Sequence, residues 1–125
     1  MIRALLTLVL LAGTASAQDI VVPQANDRIA TGIGATLRAL DRVAGTSIDL
    51  NLGNRDSVAV GSLTVTLQEC RYPVENPAGE AWAWVEVRDN RSTETLFAGW
   101  MVASSPALNA LDHRRFDIWV LNCKT

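Results

Sequence analysis

Ser104, Ser105, Asp112, His113 and Asp117 lie close together near the C-terminus, and they are the residue types of nucleophilic hydrolysis. A serine hydroxyl attacks a carbonyl carbon when a neighbouring base takes its proton and a carboxylate orients that base. His113 is the only histidine, so such a relay would run from Ser105 through His113. The context that usually carries the relay is missing. No G-x-S-x-G elbow occurs, and Leu108 stands where an S-x-x-K motif starting at Ser105 needs lysine. The same residues also have a structural use: serine as N-cap with Pro106 at the first helical position starts a helix. A small Ser/His hydrolase using Ser105 and His113 is therefore the alternative reading, and no catalytic residue is assigned.

A short helix after Pro106 would put Leu108 and Leu111 on one face, where they would cap an open end of the core. Asn109, Asp112, His113, Arg114 and Arg115 would then form a polar rim beside Ser104, Ser105 and Asp117. Arg114 and Arg115 are adjacent and should diverge, one pairing with Asp112 or Asp117 and the other free for a partner. The segment is longer than the usual hairpin loop of about 2 to 5 residues, and loops on rigid scaffolds often carry recognition. This rim is the first candidate binding surface.

Trp82 and Trp84 are the second. They share one face of a strand, where exposed indoles would make a stacking platform for a glycan or an apolar patch for a protein. Because tryptophan is usually largely buried, packing in the core or beneath the loop at 73–80 is the favoured reading. Asp49, Asn51 and Gly53 have the spacing of a calcium loop, but Gly53 stands where a third oxygen ligand belongs and Val60 where the bidentate glutamate is needed. No C-x-x-C occurs and histidine is single, so no metal and no cofactor are expected. Gly32-Ile33-Gly34 follows no strand signal and defines no nucleotide site.

The elements that must position these residues read as strands. Ile48, Leu50 and Leu52 alternate with Asp49 and Asn51, and Leu63, Val65 and Leu67 alternate with Thr64, Thr66 and Gln68 before Cys70. Ala81, Ala83, Val85 and Val87 share one face opposite Trp82, Trp84 and Glu86. Phe116, Ile118 and Val120 alternate with Asp117, Trp119 and Leu121 in a last strand ending at Cys123. With turns at Ala44-Gly45, Gly53–Asp56, Gly61-Ser62 and 73–80, the pattern predicts an all-β fold. The expectation is a small antiparallel sandwich or partly open barrel of six or seven strands, with one short helix before the last.

Met1–Ala17 reads as a secretory signal: Arg3, an apolar run from Ala4 to Gly13, then Ala15-Ser16-Ala17 as an A-x-A cleavage site. The run is shorter than the roughly 20 residues that span a bilayer, so no transmembrane anchor is expected after cleavage. Gln18 follows the site, not the cysteine that a lipid anchor requires. Residues 18–34, with Pro23, Asn26 and Asp27, read as a flexible leader, and 35–125 as a single domain. Loss of Arg3 leaves ten basic against thirteen acidic side chains, which argues against nucleic acid as a partner. Cys70 and Cys123 are the only cysteines, and in an oxidising compartment an even pair reads as a disulfide.

Phe97 to Cys123 is the most distinctive stretch, with Gly99-Trp100-Met101, Ser104-Ser105-Pro106, His113 and Phe116-Asp117 in order. Together with Ala35–Gly53 and Leu63–Tyr72 it resembles domain-of-unknown-function family 2155, small secreted proteins of Gram-negative bacteria with no established activity. Where many relatives carry proline after the histidine and tyrosine before the aspartate, this chain has Arg114 and Phe116. The resemblance implies a periplasmic location, and an inner-membrane respiratory complex as one partner to consider. Taken together, the residues favour a non-catalytic periplasmic domain that binds an envelope protein. Glycan binding through Trp82 and Trp84 is a further alternative.

Overall fold

In the computed structural model of the protein, residues 28–125 are described; the expected signal, Met1–Ala17, and residues 18–27 of the expected leader lie outside them. The alternating stretches form β1 (Ile29–Thr31), β2 (Gly34–Asp41), β3 (Thr46–Gly53), β4 (Ser57–Val60), β5 (Leu63–Pro73), β6 (Trp82–Asp89), β7 (Thr95–Val102) and β8 (Phe116–Lys124). All pairings are antiparallel. β5 organises the larger sheet. β6 and then β7 lie on one side of it, while β4 and β1 share the other, opposite its first and last residues. The smaller sheet has the order β3-β2-β8.

The two sheets stack as an open sandwich. Leu63, Val65 and Leu67 of β5 and Ala83, Val85 and Val87 of β6 turn inward, each 0% exposed, against Leu37 of β2 and Ile118 of β8. Each Leu or Val so buried contributes roughly 1.5–3 kcal/mol. No polar or charged side chain is buried among the described residues.

One end of the sandwich is stapled. The amide of Gly32 donates to Cys70 O in the larger sheet and the next amide, of Ile33, donates to Lys124 O in the smaller one, both at 2.8 Å. The chain thus changes sheets within one residue. A Cβ at Gly32 would collide with Lys124 O and one at Gly34 with Leu52 O, so the G-x-G is a packing requirement of this crossing. Beside it, the Cys70–Cys123 disulfide ties β5 to β8, with Cα atoms 5.6 Å apart.

The opposite end is open, and here the structure corrects the alternation. Leu50 and Leu52 of β3 are buried, but Ile48 on the same inward face is 54% exposed and lines a cleft with Val60 and Gly61. The strand count is eight, the additional one being β1, which lies inside the expected leader. Three residues are too few to show a period; pairing with Arg71–Pro73 recruits them. The expected helix is a single 3₁₀ turn, Pro106–Leu108. Asn109 is extended immediately after it, so Leu108 and Leu111 share no face: Leu111 is buried and Leu108 is 74% exposed.

Candidate functional site

The segment 104–115 connects β7 to β8 and bonds mostly to its own chain. The Ser104 hydroxyl donates to Glu80 Oε2, and the amides of Ser104 and Ala81 donate to Glu80 Oε1, each at 3.0 Å. Burial acts to raise the Glu80 carboxyl, but these hydrogen bonds outweigh it and hold the group below its ordinary value. Ser105 occupies the N-cap of the 3₁₀ turn without a side-chain capping bond. Asn109 Nδ2 donates to Trp100 O at 3.0 Å, covering part of the outer edge of β7.

His113 is held by the turn it sits in. Its Nδ1 accepts from the amides of Arg115 and Phe116 at 3.0 and 3.1 Å, which assigns the ring proton to Nε2. Its carbonyl accepts from Arg42 Nη1 at 2.9 Å, and Arg42 also pairs with Asp117 at 3.5 Å. Arg115 makes a two-pronged pair with Asp41, Nε to Oδ1 at 3.1 Å and Nη2 to Oδ2 at 2.9 Å. That guanidinium, with the amides of Ala44 and Val43, lowers the Asp41 carboxyl to about 2. One arginine of the pair is thus engaged and the other, Arg114, is without an ion pair among the described residues. The partner is Asp41, however, not Asp112 or Asp117. Ser105 and His113 share no hydrogen bond among the described residues, and Nδ1, which accepts from two amides, has no N–H to donate to an orienting carboxylate. Asp112 is exposed.

The tryptophan face is built differently. Small Ala81, Ala83, Val85 and Val87 fill the core side of β6, which leaves Trp82 and Trp84 on the outer face of the larger sheet, half-buried. The favoured expectation that they pack in the core or beneath the loop is corrected. The register places Trp100 of β7 opposite Trp84, and the two indoles meet edge to face at 5.5 Å with planes 80° apart. Arg71 of β5 lies 4.8 Å over the Trp100 ring while pairing with Glu69 at 2.7 Å. Ile29, Arg71, Trp82 and Trp100 line a groove of about 300 Å³. Across Trp100 and Trp84, Thr31, Asn54, Arg55 and Glu69 bound a shallower hollow of about 650 Å³.

Trp100, Arg71 and Ile29 were not among the sequence candidates for this face. The signal for Trp100 was parity, since it alternates with Gly99 and Met101; pairing of β7 with β6 is what brings it to Trp84. Trp119 is the contrasting case. It faces out from the smaller sheet but shares a hollow with Pro106, Ala107, Ala110 and Leu111, so the segment after β7 shelters it. Asp49, the first residue of the calcium-like spacing, accepts from Arg38 Nε at 2.8 Å and Nη2 at 3.2 Å, which lowers its carboxyl. Among the described residues no cluster of three or more His, Cys, Asp or Glu side chains is arranged for a metal ion.

A small disulfide-linked β-sandwich with an aromatic outer face is the class these observations define. The family model for an uncharacterized protein conserved in bacteria, DUF2155, matches residues 35–123, and the chain belongs to that family. No curated protein and no solved structure matches the chain.

Proposed function

We propose that this protein is a non-catalytic periplasmic domain that docks onto an envelope protein through the outer face of its larger sheet. The observation that carries the reading is the array of Trp82, Trp84 and Trp100 with Arg71, half-buried on the outer face of the larger sheet. Aromatic and arginine side chains are the types that anchor protein interfaces, and the grooves beside Trp100 offer places for a partner's apolar side chains. The edge-to-face indoles favour a protein over a glycan, because a sugar ring stacks on flat, parallel indole faces. The signal-like start and the inter-sheet disulfide support a location outside the inner membrane.

The test is affinity capture of the tagged protein from its native envelope, with mass spectrometry of what stays bound. Trp82→Ala/Trp100→Ala should lose proteins that wild type recovers, while Arg114→Ala keeps them. Subunits of an inner-membrane respiratory complex among the recovered proteins would identify the partner. Recovery unchanged by the double substitution in a folded protein overturns the reading.

A further inference from the structure

The open end of the sandwich, where Ile48 is exposed, holds a separate cleft of about 500 Å³. Ile48 is its exposed apolar side chain, and the buried core residues Ala39, Val60 and Phe116 form its floor. Phe116 reaches this position because Gly61, at φ +55°, has no Cβ; a Cβ there would collide with the ring. Exposure of an inward-facing isoleucine marks a place where an apolar group can be buried at no further cost to the fold.

The lip of the same cleft is cationic on an otherwise acidic chain. Arg91, Arg114 and Arg115 line it together with His113, and Asp41 is the carboxylate among its lining residues. Asp41 is neutralised by its paired contact with Arg115, and Arg91 is paired with Asp89 at 3.3 Å. Arg114, an exposed lining residue, is left without an ion pair among the described residues. His113 adds an Nε2–H donor, since its Nδ1 is taken by two backbone amides. An exposed isoleucine over an apolar floor, beside an arginine with no ion pair among the described residues, complements one kind of ligand: an alkyl group ending in an anion.

We propose that this cleft binds a small aliphatic carboxylate, its alkyl chain against Ile48 and Phe116 and its carboxylate on Arg114. The site is distinct from the tryptophan face. Ile29, Arg71 and Trp82 lie at the β5 C-terminal end, whereas the cleft lies beside the turn that precedes β5.

The test is titration of the isotopically labelled protein with octanoate, octanol and octylammonium, read by amide chemical shifts. Octanoate should produce saturable shifts in the amides of Ile48, Ser62 and Arg114 to Phe116. Octanol should bind more weakly, and octylammonium should leave these amides unmoved. Arg114→Ala should weaken octanoate by about tenfold or more, as loss of one charge-assisted hydrogen bond implies. Ile48→Ser should weaken octanoate and octanol alike, and Arg28→Ala, an arginine at the β1 end remote from the cleft, should change neither. No saturable shift at millimolar octanoate overturns the proposal. So does equal binding of octanol, full affinity in folded Arg114→Ala protein, or shifts confined to Trp82, Trp84 and Trp100.

Discussion

In the segment 104–115, most of the polar side chains that could meet a partner already meet one within the chain. Ser104 is on Glu80, Asn109 on the backbone of β7, His113 on its own turn and Arg115 on Asp41. On the outer face of the larger sheet the opposite holds. Trp84 and Trp100 meet edge to face and Arg71 lies over Trp100, yet these indoles and Trp82 keep part of their surface open, although indoles are costly to leave in water. The difference teaches that chemical richness in a loop is a poor guide to availability. A polar group near a chain reversal is recruited to fasten that reversal, because an unsatisfied donor or acceptor there costs more than the contact. An indole on a sheet face has no such local use, so its exposure points outward to another molecule.

The largest expected effect removes the staple that both regions depend on. Replacing Cys70 and Cys123 by serine should cost about 4 kcal/mol for a bridge spanning 53 residues, read as a lower urea midpoint with a steeper slope, because the unfolded chain without the bridge expands. If the midpoint barely moves, the sandwich holds its two sheets together without the bridge. Next, Leu111→Ala should cost about 2–5 kcal/mol while Leu108→Ala stays within about 0.5 kcal/mol. That contrast separates the anchored part of the segment from its exposed turn, and equal effects would break it.

Ser104→Ala should cost about 1 kcal/mol through loss of its bond to Glu80, whereas Ser105→Ala should have no measurable effect on thermal stability. An effect at Ser105 as large as that at Ser104 would show that it has a partner. The smallest effect is a pH dependence. Asp41 is lowered in the folded protein from 3.8 to about 2, so its pair with Arg115 stabilises above the unfolded value and is lost as pH falls through the folded one. Asp41→Asn should lower the melting temperature at pH 5 and above, and the gap to wild type should close between pH 4 and 2. A gap that persists at pH 2 assigns the loss to the turn at Val43 and Ala44, not to charge.

Much of this was written in the order of residues. Period-two alternation determined which side chains share a face, because successive side chains of a strand point to opposite sides wherever that strand ends up. It put Ala83, Val85 and Val87 together opposite the tryptophans, and it marked β5 and β8 as strands running to the two cysteines. Alternation does not say which face is covered. That was decided by the tertiary structure, which left the outer face of β6 half-buried and the inward Ile48 exposed at the open end. Pairings between distant residues were equally illegible. Arg115 finds Asp41 across 74 positions, and Ile29–Thr31 becomes a strand only because β5 offers it an edge. The sequence alone therefore determined the alternating strands, their faces and the cysteine pair, though not β1, since those follow from local geometry and from redox chemistry. Only the stacked sheets decided which groups were satisfied and which were left for a partner, because satisfaction depends on neighbours that the chain brings together from far away.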